Sequence, residues 1–150
     1  MGHTYTNLHT HIIFSTKDRI PYLNVDTRPQ MFAYMAGIAR NIGCDDVAIN
    51  GMADHAHILL KVPPALSVAQ AVKEIKANAG KWAHEEHLLP RAFAWQAGYS
   101  AFSVSPSSAL VTLRYIQNQE EHHRKISFRE EILAFLKKHG IEYDERYVLG

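Results

Sequence analysis

The order of hydrophobic patterns predicts an α+β domain in which one antiparallel sheet carries two helices on one face. Apolar and polar residues alternate over 5–16 and again over 52–62, and this alternation is typical of strands. A helical pattern with its own capping signals follows each of these two segments. The 150 residues are enough for a buried core, and we expect residues 1–150 to form one domain.

Local signals delimit each predicted element. The first helix begins near Asp26 or Thr27 and ends before Gly43, because glycine commonly follows the last helical residue. Asn50-Gly51 is a strong hairpin signal and joins predicted strands at about 44–49 and 52–62. The remaining elements are a helix from Ser67 to about Trp82 or His84, a strand over 98–104, a helix from Ser105 to about His122, and a helix from Ser127 to His139-Gly140.

The resulting order, β-α-β-β-α-β followed by two helices, is the ferredoxin-like split β-α-β arrangement with an added C-terminal helix. Its first and third strands lie side by side at the centre of the sheet. The rows expected to face the two helices are Leu8, Thr10, Ile12, Phe14 and Ala56, Ile58, Leu60, Val62. The opposite face then carries four histidines, and a ligand or an extra helix should lie there: His9, His11, His55 and His57.

Composition excludes several classes of protein. A hydrophobic fraction of 47% with mixed charges indicates a folded globule, and a net charge of +1 does not by itself indicate a nucleic-acid partner. The single Cys44 excludes an internal disulfide. No apolar run is long enough to span a membrane, so we expect no membrane partner and a cytoplasmic location.

His55 and His57 point to the same side of a strand, where two neutral imidazoles can bind one metal ion. An amide oxygen from Gln119 would leave the coordination shell open to water or phosphate, which suits Mg²⁺ or Mn²⁺. The alternative is a pair of half-exposed histidines under the extra helices. His9 and His11 form a rival pair.

Tyr115 lies four residues before Gln119, so a helix places both on one face. A tyrosine can act as a covalent nucleophile on a phosphodiester, although most helical tyrosines simply pack. Tyr99 is the competing nucleophile. Asp46 is a further candidate ligand, because a two-residue hairpin at Asn50-Gly51 would pair it with His55.

Four segments together resemble the single-tyrosine HUH transposases of the insertion sequence 200/605 class. They are Leu8–Arg19, Asp54–Leu60, Gly98–Val104 and Arg114–Gln119, and the tail from Glu120 to His123 also agrees. The resemblance implies that His55, His57 and Gln119 bind the metal and that Tyr115 attacks single-stranded DNA. It further implies a homodimer in which the histidine pair of one subunit meets the tyrosine helix of the other.

The expected function is therefore a metal-dependent transposase that cleaves and rejoins single-stranded DNA with hairpin ends through a 5′-phosphotyrosine. The alternative is a non-catalytic or domesticated nucleic-acid-binding protein of the same fold that acts on repeat hairpins. Five basic residues are candidate phosphate contacts, although each could simply lie on a solvated surface: Lys17, Arg19, Lys73, Lys76 and Arg114.

Overall fold

A four-stranded antiparallel sheet forms the centre of the protein in the computed structural model, which describes residues 2–149. The strands are β1 (His9–Ser15), β2 (Asp45–Met52), β3 (His55–Lys61) and β4 (Ser100–Ser103), and their order in the sheet is β2-β3-β1-β4. All three pairings are antiparallel. Strands β1 and β3 therefore lie side by side at the centre, and the predicted α+β ferredoxin-like arrangement is confirmed.

Helices α1 (Thr27–Asn41) and α2 (Val68–Glu85) cover one face of the sheet. The strands contribute the predicted apolar row to this core, with the exception of Leu8, which precedes β1 and is 48% exposed. Ser67 caps α2 as predicted, because its side chain accepts a hydrogen bond from the backbone N–H of Gln70. The main members of this core are Ile12, Phe14, Ala56, Ile58, Leu60 and Val62 from the strands and Met31, Met35, Val72 and Ile75 from the helices.

Three further helices cover the opposite face: α3 (Ala109–Gln117), α4 (Gln119–His122) and α5 (Phe128–Lys138). Ser127 caps α5 by accepting a hydrogen bond from the backbone N–H of Glu130. A second apolar cluster joins the sheet to α5 and comprises Ile13, Phe102, Phe128, Ile132 and Leu136. The face expected to hold a ligand or an extra helix is thus closed by helices, and its histidines are enclosed.

The helix predicted from Ser105 to His122 is interrupted in the structure. A short 3-10 turn, Pro106–Ser108, precedes α3, and the backbone leaves helical geometry at Asn118 (φ −103°, ψ 27°). Gln119 therefore starts α4 instead of continuing α3. The interruption turns the chain inward, so that Gln119 is buried beneath the helices.

The hairpin between β2 and β3 turns later than Asn50-Gly51 predicts. Met52 pairs with His55, so the turn is formed by Ala53 and Asp54, while Gly51 lies inside β2 opposite Ala56. A Cβ at position 51 would clash with the backbone carbonyl of His55 and lie 2.9 Å from the Cα of Ala56. Gly51 therefore allows the backbones of β2 and β3 to approach each other closely, and it does not form a tight turn.

This shift in register moves Asp46 away from the predicted metal site. Asn50 lies opposite His57, and its side-chain amide donates to the carbonyl of Ile116 at 3.0 Å, which attaches the end of α3 to the sheet. Asp46 lies 3.2 Å from the Nε2 of His9 instead. The expectation that Asp46 pairs with His55 is wrong, because the strand pairing overrides the local turn signal. Among the helices of residues 2–149, none has the length and apolar character to cross a membrane.

Candidate metal and nucleophile site

His55 and His57 lie two residues apart on β3 and face the second group of helices. Both side chains are buried, with exposed fractions of 1% and 0%. The ring of Phe128 stacks on His55 at 4.2 Å between centroids. The strand thus places the two imidazoles side by side, and the helices exclude bulk water from them.

Each of three histidines uses its Nδ1 for an outer partner and directs its Nε2 into the cluster. The Nδ1 of His55 donates to the carboxylate of Asp54 at 2.8 Å. The Nδ1 of His123 donates to the backbone carbonyl of Ile126 at 3.0 Å. The Nδ1 of His57 lies 2.8 Å from the Nε2 of His11 on β1. Such outer hydrogen bonds are the usual means of orienting metal-binding histidines.

Gln119 and Glu131 supply oxygen atoms at the same point. The Oε1 of Gln119 lies 3.2 Å from the Nε2 of His55 and 3.0 Å from the Nε2 of His123. The Oε1 of Glu131 lies 2.9 Å from the Nε2 of His57 and 3.2 Å from that of His123. The potential ligand atoms of His55, His57, His123 and Glu131 all lie within 4.8 Å of one another. The structure therefore brings the predicted His55, His57 and Gln119 together and adds two groups.

Burial and mutual contact change the pKa values in this cluster. Burial lowers the pKa of His57 to about 4, against the opposing effect of Glu131, and burial together with neighbouring His57 lowers the pKa of His11 to about 3. Burial raises the pKa of Glu131, but the hydrogen bonds from His123 and His57 outweigh it and hold that pKa well below its usual range. Glu131 is therefore a carboxylate at neutral pH and faces the neutral imidazole of His57, which in turn contacts neutral His11.

Tyr115 on α3 reaches the same cluster with its hydroxyl group. The hydroxyl donates to the Oε2 of Glu131 and lies 2.9 Å from the Nε2 of His122. Burial and the Glu131 carboxylate both raise the pKa of Tyr115. The phenol is thus held protonated beside two possible proton acceptors. The rival tyrosine, Tyr99, lies next to α2, with the Nζ of Lys76 5.9 Å from its ring centre.

A cavity of about 290 Å³ opens beside the Tyr115 hydroxyl, between α3 and α5. Apolar side chains form most of its wall, and Lys138 lies on its lining. Val111, on the same lining, is 67% exposed. This cavity is the route by which a substrate could approach Tyr115 from outside. Its lining includes Val111, Thr112, Tyr115, His122, Phe135 and Lys138.

Three of the predicted phosphate contacts lie in segments next to the cluster or to Tyr115, and one of them, Arg19, contacts a partner of His55. The guanidinium Nε of Arg19 is 3.7 Å from the carboxylate of Asp54, whose other oxygen accepts from His55. Lys17 is exposed in the same short turn, Lys17–Arg19. Arg114 is exposed on α3 immediately before Tyr115. A DNA contact by Lys17, Arg19 or Arg114 stays a prediction.

The two predicted phosphate contacts on α2, Lys73 and Lys76, are placed differently. Lys73 is exposed on a helix that packs against the face of the sheet opposite His55. The Nζ of Lys76 donates to the backbone carbonyls of Gln96 and Gly98 at 2.9 and 2.5 Å, and burial lowers its pKa to about 8. Lys76 is therefore occupied in joining α2 to the segment before β4.

The rival histidine pair does not converge on one point. His9 contacts Asp46 at the edge of the sheet, whereas His11 is buried and contacts His57. His11 thus supports a member of the main cluster instead of forming a second site with His9.

His123 and Glu131 are the members of the cluster that sequence reasoning did not assign to the metal. His123 stood next to the predicted site in the sequence, in the tail that follows Gln119. Glu131 gave no local signal, because it follows the capping box of α5 and reaches the cluster only when α5 packs on the sheet. One feature could have indicated it: Glu131 falls on the same helical face as Phe128 and Ile132.

Comparison with known proteins shows which family the chain belongs to. The sequence profile described as "Transposase IS200 like" matches residues 4–119, which is most of the chain. The chain belongs to the IS200-like transposase family. A comparison with curated protein sequences gave no match.

Two solved structures resemble this family member. One is the crystal structure of a protein from Deinococcus radiodurans R1 that is provisionally described as a transposase. It has 26% identity and a TM-score of 0.61 over 79% of this chain and 96% of that one. The other is a tyrosine transposase associated with REP sequences and bound to a REP hairpin. It has 16% identity and a TM-score of 0.57 over 84% of this chain and 74% of that one. At that identity, the second likeness shows the fold alone.

Proposed function

We propose that this protein cleaves and rejoins single-stranded DNA with Tyr115 as the nucleophile and a divalent metal ion held by His55, His57 and Gln119. The observation that carries the proposal is the position of the Tyr115 hydroxyl, which shares the partner Glu131 with the buried imidazole of His57. A nucleophile and a metal-binding group are thus joined through one carboxylate. Membership of the transposase family supports the same reading.

The donor set fits a divalent cation. The Nε2 of His55 faces the Oε1 of Gln119 at 3.2 Å, while its Nδ1 is bonded to a carboxylate. Imidazole nitrogen and amide oxygen are both ordinary metal ligands. Bound there, a divalent ion would polarise the scissile phosphate and offset the negative charge that develops during attack.

The protein's own residues account for the transfer of the phosphate. The Oη of Tyr115 forms a bond to the phosphorus, and the bond from phosphorus to the 3′-oxygen breaks. The phenolic proton passes to the Nε2 of His122, which is 2.9 Å away. Burial lowers the pKa of His122 despite the nearby Glu131, so this imidazole is neutral at pH 7 and can accept the proton. The departing 3′-oxygen takes a proton from water.

Rejoining is the reverse of this step. A free 3′-hydroxyl gives its proton to water and attacks the phosphotyrosine, the bond from phosphorus to Tyr115 breaks, and the proton on His122 returns to the phenol. The Oε2 of Glu131, 3.1 Å from the Nε2 of His122, stabilises the imidazolium in between. Because the phosphate is transferred rather than hydrolysed, cleavage and joining need no external energy source.

We further propose that the substrate is a hairpin with a single-stranded flank. The cavity beside Tyr115, between α3 and α5, can admit a flexible flank more readily than a rigid duplex. The hairpin seen with the REP-associated transposase motivates this choice of substrate.

The test is the formation of a covalent adduct with labelled hairpins in the presence of Mn²⁺ or Mg²⁺. The wild-type protein should give a denaturation-resistant adduct that carries the segment on the 3′ side of the cleavage point, joined through its 5′-phosphate, and blunt duplex should give none. Tyr115→Phe and the double variant His55→Ala/His57→Ala should bind the hairpin but form no adduct, and Tyr99→Phe is the matched control. Adduct formation by Tyr115→Phe, or its loss in Tyr99→Phe alone, would refute the assignment.

A further inference from the structure

We propose that His123 and Glu131 complete the metal centre, so that it presents three imidazoles, one carboxylate and one amide oxygen and selects Zn²⁺ or Co²⁺ over Mg²⁺. The inference rests on the proposed function only in placing a metal at His55, His57 and Gln119. It changes both the number of ligands and the class of metal expected there.

The first step is the tautomer of His55 and His123. The Nδ1 atoms of His55 and His123 each contact an oxygen that can only accept a hydrogen bond, from Asp54 and from the backbone of Ile126. These Nδ1 atoms must therefore carry the hydrogen. In the neutral imidazole the Nε2 then carries a lone pair and acts as an acceptor.

The second step is what those lone pairs face. The Nε2 of His123 lies 3.0 Å from the Oε1 of Gln119 and 3.2 Å from the Oε1 of Glu131. The orientation of Gln119 is supported by its Nε2, which lies 3.4 Å from the carbonyl of Tyr115. Acceptors therefore converge on acceptors in a buried space. A positive charge compensates this arrangement, either a proton on one imidazole, which then donates to the Glu131 carboxylate, or a bound cation.

The separations suit a single ion. Neighbouring atoms of the cluster are 3.2 Å apart between His55 and Gln119, 2.9 Å between His57 and Glu131, and 3.7 Å between His55 and Glu131. Around an ion with bonds of about 2.0–2.2 Å, neighbouring ligand atoms at angles of about 90–120° are about 2.8–3.8 Å apart. His123 and Glu131 thus lie at ligand distance from the predicted set and not merely in its surroundings.

The third step is the chemical class of the ion. Mg²⁺ prefers six oxygen ligands and keeps several waters, whereas imidazole nitrogen favours late first-row ions such as Zn²⁺, and affinity rises from Mn²⁺ to Co²⁺. Three imidazoles in a pocket closed by Phe128 and α5 leave little room for a hydrated ion. The Oε1 of Glu131 would neutralise part of the ionic charge, while its Oε2 keeps the hydrogen bond from Tyr115.

The experiment uses the full-length protein after treatment with a chelator and without DNA. Binding of Co²⁺ is followed by its visible absorption, and Zn²⁺, Mn²⁺ and Mg²⁺ are ranked by competition. We expect Mg²⁺ to compete at least about 100-fold more weakly than Zn²⁺. Glu131→Gln and His123→Gln should each weaken Co²⁺ binding by at least about tenfold. The controls Glu120→Gln and His3→Ala change exposed residues and should bind as the wild type does.

A second measurement on the wild-type protein avoids any question of misfolded variants. Nitrogen NMR of the histidine side chains should show three imidazoles whose Nε2 signals move on addition of Zn²⁺, one of them missing in His123→Gln. Movement of only the His55 and His57 signals, or unchanged Co²⁺ affinity in Glu131→Gln and His123→Gln, would overturn the inference. The proposed function would survive that result if Tyr115 still formed its metal-dependent adduct with DNA.

Discussion

Acidification should destabilise the metal-free protein in a way that depends on His11. This residue is buried against His57, and burial lowers its pKa to about 3. In the unfolded chain a histidine has a pKa of about 6.5. Between pH 6.5 and 3 the unfolded chain therefore binds a proton at this position that the folded protein does not. Stability is complete above pH 6.5 and falls as the pH decreases.

The magnitude follows from the difference in pKa. From pH 6.5 to pH 5, a histidine that stays neutral in the fold loses about 1.4 kcal/mol of stability per pH unit, which is about 2 kcal/mol in all. His57, with a pKa of about 4, acts in the same direction. His123 opposes them, since its hydrogen bond to Glu131 outweighs burial and raises its pKa, so its contribution to stability is largest below pH 6.5. Only a comparison with a variant isolates His11.

His11→Phe is the suitable variant, because the ring of Phe135 lies 5.1 Å and that of Phe102 6.4 Å from the imidazole centre. Urea unfolding at pH 7, 6 and 5 in the presence of a chelator gives the free energy of unfolding. The wild-type protein should lose about 2 kcal/mol more than His11→Phe between pH 7 and pH 5. The control His3→Ala should follow the wild type. Equal losses in wild type and His11→Phe would refute the reasoning, because His11 would then bind its proton in the fold.

Three further predictions address the site and its partners. Asp54→Asn removes the carboxylate that orients His55, so Co²⁺ affinity should fall by about 10–100-fold; unchanged affinity would mean that this hydrogen bond does not support the metal site. Arg19→Gln should reduce the slope of log affinity for single-stranded DNA against log salt by about 0.7, whereas Lys73→Gln, on the opposite face, should not change it; the reverse pattern would move the DNA path to α2. Mixing Tyr115→Phe with His55→Ala/His57→Ala tests the predicted homodimer with shared sites. Cleavage should recover if α3 exchanges between subunits. No recovery after demonstrated subunit exchange would place the complete site in one chain, an arrangement that the contacts of Tyr115 allow.

Much of the fold follows from periodicity that is visible in the sequence. The alternation in β1 and β3 correctly separated the core row of Ile12 and Ile58 from the histidine face. The predicted position of the hairpin turn was wrong, because Asn50-Gly51 is only a local signal. The pairing of two buried strands outweighs that turn preference, and Gly51 is needed where the two strands pass close to each other. The local sequence pattern thus predicted which segments form strands, whereas packing between the strands set the register of β2 against β3.

The same distinction explains which parts of the site could be predicted. His55 and His57 are two residues apart, and Tyr115 and Gln119 are four apart, so a strand and a helix bring each pair together. The contact between Glu131 and His57 spans 74 positions and depends on how α5 packs over the sheet. No spacing rule covers such a distance. The break at Asn118, which turns His123 inward, has the same origin in tertiary contacts.

The central claim, that Tyr115 is the nucleophile of a DNA-cleaving site, is tested most directly by locating the bond itself. The protein is incubated with a hairpin carrying a single-stranded flank, the DNA is digested to a short remnant, and the peptides are sequenced by mass spectrometry. The remnant should be attached to the phenolic oxygen of Tyr115 through a 5′-phosphate. Attachment at Tyr99, at a histidine, or through a 3′-phosphate would contradict the account.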